Sequence, residues 1–443
     1  MRFRSNISTV GRAILPAAGL PAGWTRWKRL SHNQHGAAAI QLLVILVPVL
    51  FGLIGFAVDL GILYSIKGEL KAGASAMALA AAQQLIGTDT ATSAADASVQ
   101  VTGNRYYFRG FPIGQTTGTA NSTIQGPYYY GTAADALATS GGGDAGSSLA
   151  KYARVTVTGQ TQLLFWSFLP LVNGGRDVTV LATAVAGISA PLCQACGIEP
   201  LAVAAINQGD QADFGFVTGT KYSFTYLCTV TQGVTLPPPL PGASVELSYL
   251  LLNRLDANAV TFPDEGSQAF QDGAGGLPGN TSSAQACLRI NNSEVIWASA
   301  VVNQCSAMQV APVVTDVLCG LDTRFETATP SACSNIPQVD VLSTIYQPDT
   351  DPNDYDTYAN YAGTGRRIIT VPIVDTLSNT GSMTVLAFRQ FLVIPTQGAT
   401  NLNPGDPYGR FVGLYLGSVA PLKQGRFDGC QQTSGPGKVV LHQ

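Results

Sequence analysis

Two cysteines three positions apart, Cys193-Gln-Ala-Cys196, have the spacing of a redox pair and of half a zinc site. Redox chemistry needs a thiol of lowered pKa, usually at a helix start, whereas this pair follows strand-like sequence and Pro191. Zinc needs further thiolate or imidazole ligands, and there is no second pair at this spacing. Gly197 stands where covalent haem attachment needs a histidine. Structural disulfides are the favoured reading, and it extends to Cys193, Cys196, Cys228, Cys287, Cys305, Cys319, Cys333 and Cys430. Eight cysteines allow 105 pairings, and spacing does not choose among them.

A second cluster, Asp349-Thr-Asp351-Pro-Asn353-Asp354-Tyr-Asp356, sets oxygen atoms at alternate positions, as calcium sites do. A twelve-residue calcium loop would need Gly where Asp354 stands and Glu where Asn360 stands, so a solvated acidic turn is favoured over a metal site. Histidines are three: His32, His35 and His442, the last one residue from the end. A Ser-His-Asp or Cys-His arrangement after residue 60 would have to use His442. No spacing singles out a carboxylate pair, and there is no glycine-rich phosphate loop. These residues point away from an enzyme and imply no cofactor and no resident metal.

The element that positions the rest is the apolar run from Ala37 to Val58, 22 positions without a charge. As a helix it rises about 33 Å, enough for a hydrocarbon core of roughly 30 Å. It is longer than the apolar core of a signal peptide and flows into more helix, so it reads as a retained anchor. Before it lie Arg2, Arg4, Arg12, Arg26, Lys28 and Arg29 with no acid, leaving 18 basic against 27 acidic residues in the remainder. The basic end belongs in the cytoplasm and the remainder outside, in a periplasmic or extracellular, disulfide-permitting space. The negative balance of that part disfavours nucleic acid. After the run, Leu60, Leu63, Tyr64, Leu70, Ala74, Met77, Ala81 and Leu85 continue a helical apolar stripe, opposite Lys67, Glu69 and Lys71. Ala72 to Ala82 is almost all Ala, Gly and Ser, a surface that packs closely on its own domain or on a partner helix.

The segment from His35 to Leu85 resembles the N-terminal region of the Flp pilus-assembly family of the Tad (tight adherence) system, the TadE/TadG-like proteins. The matching residues are Gly36 at the membrane entry, Pro48 within the run, Val58-Asp59-Leu60-Gly61 with Tyr64, and then the Ala-rich helix. Arg154 to Thr158, Asp177 to Ala186 and Arg367 to Asp375 resemble strands found later in the family. Prepilin-type substrates carry Glu five positions after the cleaved Gly; Gln41 stands there, and His35 replaces the usual Arg or Lys. Those departures place the chain on the TadG-like side, with an uncleaved anchor. Asp59 falls at the outer interface, where a charge costs little, and reads as a helix-boundary feature. Some TadG-like proteins have a von Willebrand-type metal motif; Asp375-Thr-Leu-Ser378 has the wrong spacing for it.

The remainder reads as β-rich, with strands expected at 153–158, 178–188, 222–231, 367–375, 383–394 and 410–416. Loops are expected at 140–148, 189–200, 237–241 and 272–283. Charged residues make up only 12%. The expected fold class is α+β: a long N-terminal transmembrane and stalk helix, then a β-rich, disulfide-containing exported region. The expected divisions are 1–36 cytoplasmic, 37–87 anchor and stalk, 88–190 a first exported unit and 191–443 a second that holds every cysteine. The resemblance implies a non-catalytic, membrane-anchored part of Flp/Tad-type pilus assembly and adhesion. Its partners would be the lipid bilayer and pilus-assembly or pilin proteins, met through the Ala-rich helix and the exported domain, with self-association open. The alternatives are a standalone surface adhesin or envelope-binding module, and an exported enzyme using carboxylates or calcium.

Overall fold

Leu, Ile, Val, Ala and Phe without a charge, followed by Ala, Gly and Ser, hold helical backbone from His35 to Gln83 (α1), and the helix continues through Pro48. The computed structural model describes residues 35–117, 120–138, 143, 145–165, 177–196, 198–199, 201–227, 237–254, 287–290, 295–298, 312–325, 331–334, 347–378, 382–396, 398–427, 430 and 432–442. The architecture is α+β: one long apolar helix and a β-rich remainder. Contacts divide the chain between Ala57 and Val58, inside α1.

In the N-terminal unit, the large side chains from Ile40 to Phe56 are exposed. From Val58 onward α1 becomes one-sided. Ile66, Leu70, Ala74, Met77, Ala78, Ala81 and Ala82 are buried at three- and four-residue spacing. They face a five-stranded antiparallel sheet. Its first four strands, after the hairpin β1 (Tyr107–Phe108) and β2 (Phe111–Pro112), are β3 (Thr116–Thr117), β4 (Ala120–Tyr130), β5 (Tyr152–Gln162) and β6 (Asp177–Ile188), and the fifth comes from the end of the chain. Along β5, Ala153, Val155 and Val157 point in while Arg154, Thr156 and Thr158 point out, the period-two pattern of a half-buried strand. Ala182, Ala184 and Ala186 on β6 complete a floor of small side chains, so helix and sheet approach closely. A second helix, α2 (Ala91–Gly103), joins this core through Ala95 and Val99; the short α3 (Ala133–Leu137) packs Ala136 with Tyr130 and Val185.

Beyond β6 the chain forms β7 (Gln194–Cys196), β8 (Leu201–Ala204), β9 (Lys221–Tyr226), β10 (Val245–Arg254), β11 (Cys287–Arg289) and β12 (Val295–Ala298). Then come α4 (Pro312–Asp322), β13 (Ile368–Val374), β14 (Ser382–Ile394), β15 (Phe411–Gly417), β16 (Gln424–Arg426) and β17 (Val439–His442). The order β10-β8-β13-β14-β15-β9 closes on itself through a parallel β9–β10 pair, making a barrel, with β12 bridging β10 and β14. Closure satisfies the edges that an open sheet would leave. Aromatic rings fill the interior: Phe224 stacks on Phe411 at 4.5 Å between centroids and Phe216 on Tyr415 at 5.2 Å. Val317, Leu318 and Leu321 of α4 join the same core. A small sheet, β11-β7-β16, covers one flank. The last strand, β17, returns to pair with β6, so the segment after 191 also contributes a strand to the first sheet.

Candidate functional site

Asp59 sits one residue past the uncharged run, yet it is not a solvated helix boundary: its side chain is buried. Oδ1 accepts the backbone N–H of Leu164 at 2.9 Å, and Oδ2 accepts that of Phe165 at 3.1 Å. This corrects the boundary reading. The meeting is geometric in origin. Gly159 packs against Leu70, and β5 runs back along α1. Five residues of extended chain from Gly159 cover about 16 Å, the rise of the eleven helical residues between Leu70 and Asp59. Leu164 and Phe165 themselves are exposed, at 55% and 43%. A signal for this contact was in the sequence, since Leu163, Leu164 and Phe165 open an uncharged apolar run; residues 166–172 lie outside the described residues.

The other motif residues are placed plainly. Gly36 is helical; Gln41, Pro48, Val58, Leu60, Gly61 and Tyr64 are exposed, Tyr64 by 74%. Leu60 and Tyr64 therefore leave the stripe on which Leu70, Ala74, Met77, Ala81 and Leu85 are buried. Of the two surfaces the Ala-rich segment could meet, Ala74, Ala78, Ala81 and Ala82 take their own sheet. On the flank of that stripe, Lys71 Nζ donates to the Thr183 carbonyl at 2.9 Å.

The cysteine motif does not close on itself. Cys193 bonds to Cys430, with Cα atoms 5.5 Å apart and a sequence separation of 237. That removes Cys193 from the redox and zinc readings and leaves the structural one. Cys319 bonds to Cys333, Cα atoms 5.8 Å apart. Cys196 and Cys287 are register partners on β7 and β11. Cys228 and Cys305 lie outside the described residues, as does the loop expected at 272–283.

The acidic cluster divides in two. Asp354 and Asp356 are on the surface and share Lys221 Nζ at 2.8 and 2.9 Å; burial pulls that ammonium down, and the two carboxylates outweigh it and hold it raised. Asp349 and Asp351, by contrast, are buried, which corrects the solvated turn for that half. Asp349 accepts the N–H of Asp351 at 3.0 Å, of Thr364 at 3.2 Å and of Arg367 at 3.0 Å, and also the Tyr361 hydroxyl. Asp351 accepts the N–H of Asn353 and of Ala362 at 3.2 and 2.9 Å. Burial pushes its carboxyl up, but those N–H groups and the Tyr355 hydroxyl prevail and hold it below the usual carboxylate range. Both carboxylates thus serve as acceptors that fold the 349–367 loop. Among the described residues no three Asp, Glu, His or Cys side chains converge as a metal site would require.

Sequence reasoning missed the buried cations, because no local signal marks an arginine as interior. Arg367 donates to the carbonyls of Val393 and Asn353 and lies over the rings of Phe325 and Tyr361. Arg324 pairs with the fully buried Glu199 and donates to the Arg366 carbonyl. Arg389 lies over Phe214 at 5.0 Å and donates to the Ala212 carbonyl and Ser434. Arg367 and Arg389 each link a barrel strand to a loop, and Arg324 ties the segment after α4 to those before β8 and β13. What the described residues assemble is an exit from an apolar helix, latched to a loop by Asp59. Among the described residues one helix is long and apolar enough to cross a membrane, with an 18-residue stretch of mean hydropathy 2.6. No protein-family profile, curated protein or solved structure matches this chain.

Proposed function

We propose that the protein is a non-catalytic, single-pass anchor of Flp/Tad-type pilus assembly and adhesion. In this reading its N-terminus is cytoplasmic, its helix crosses the cytoplasmic membrane, and its β-rich part is exported to dock pilus or envelope partners. The observation that carries the reading is α1 itself, whose uncharged stretch continues without a backbone break into the segment that fills the core under the β4–β6 sheet. A load on the folded domain would reach the lipid through one uninterrupted helix. The motif from Gly36 to Tyr64 supports the family part of the reading, and the basic N-terminal flank supports the orientation.

The test is purification of the full chain from native membranes, with intact-mass and N-terminal analysis and identification of what co-purifies. The proposal expects an unprocessed chain that stays in the membrane fraction and brings down pilin or pilus-assembly proteins. An N-terminus at Ala37 would make it a processed, pilin-like subunit. A membrane-bound chain with envelope polymer and no pilus protein would favour the standalone adhesin.

A further inference from the structure

We infer that the rim of the exported domain around Asp59 is itself a lipid-contacting surface, seated in the outer headgroup layer beside the helix exit. The inference rests on the membrane-spanning reading of 37–58 and adds a second, non-helical contact to it. Asp59 follows the last apolar position of the run, so Leu164 and Phe165, whose amides it holds, are fixed at the level where the chain would leave the hydrocarbon. Tyr64 lies about 7.5 Å further along the helix axis, within a headgroup layer of roughly 5–8 Å. Leu60, Tyr64, Leu164 and Phe165 are all exposed around this level. Aromatic rings such as those of Tyr64 and Phe165 are among the side chains that settle at a bilayer interface.

The hydrogen bonds of Asp59 fit the same environment. A loop backbone entering a poorly hydrated layer must have its N–H groups satisfied by protein, and a carboxylate there must have donors. Leu164, Phe165 and Asp59 meet both needs at once, and the Leu164 and Phe165 side chains are exposed on that surface.

The test places the photoreactive residue p-benzoylphenylalanine singly at Phe165, at Phe51 within the apolar run, or at exposed Val217 in the barrel half, in the full chain in native membranes. After irradiation, adducts are read by mass spectrometry. The proposal expects phospholipid adducts at Phe51 and Phe165 and none at Val217. Adducts at Phe51 without any at Phe165 overturn the rim contact and leave the anchor standing. No lipid adduct at either position overturns the membrane-spanning reading on which it rests. A Phe165 adduct to a second copy of the chain or to another protein also overturns it, because that surface would then be a protein interface.

Discussion

At the scale of single residues, the buried carboxylates of Asp59, Asp349 and Asp351 act as acceptors for backbone N–H groups. Asp59→Ala removes the acceptor for two amides, and exchange at Leu164 and Phe165 should rise roughly ten- to a hundredfold in hydrogen-exchange measurements, with the sheet amides unchanged. Asp351→Asn keeps one oxygen but discards the charge, and should lower stability by about 1–3 kcal/mol at neutral pH. Its folded pKa is depressed, so the stabilisation is complete above the unfolded value of about 4 and fades as pH falls through the folded one. Denaturant midpoints in detergent should therefore differ between wild type and Asp351→Asn at pH 7 and converge well below pH 4. Sequence made these acids visible as a cluster. It did not separate the buried Asp349 and Asp351 from the exposed Asp354 and Asp356, because burial depends on where the loop crosses the barrel.

At the scale of elements, α1 and β5 are held together by the absence of bulk. A Cβ on Gly159 would lie 2.9 Å from the Phe108 ring and 3.2 Å from Leu70. Gly159→Leu should consequently cost about 1–3 kcal/mol by overpacking, read as a lowered thermal midpoint. Glu69→Ala on the exposed face of the same helix should stay within about 0.5 kcal/mol. Strands β5, β6, β13, β14 and β15 were legible because β-branched or alternating runs extend over six residues or more in each. Helix α2 was not, since three of its four buried positions are Ala91, Ala95 and Gly103, which give little hydrophobic contrast. Nor was β4, whose first half is polar and whose middle carries Gly126-Pro127.

At the scale of the whole molecule, long-range closures hold the β-rich part together: the β9–β10 pair, the β17–β6 pair and the Cys193–Cys430 bond. In the chain-entropy account, a disulfide across so long a loop stabilises by about 5 kcal/mol, against about 3 for one spanning some fifteen residues. Cys193→Ser with Cys430→Ser should thus lower the denaturation midpoint more than Cys319→Ser with Cys333→Ser, and non-reducing peptide maps of the native chain should show both bridges. The sequence by itself determined the features that are local in the chain: an uncharged stretch long enough for a bilayer, its small-residue continuation, the period-two strands, and the restriction of cysteines to one half. Each is set by composition and spacing within a few turns or strands. Only the tertiary structure decided which cysteine meets which, which acids are buried, that six strands close into a barrel, and that Asp59 latches a loop more than a hundred residues away. Those outcomes depend on contacts between segments far apart in sequence, and local pattern carries no record of which distant segment will arrive.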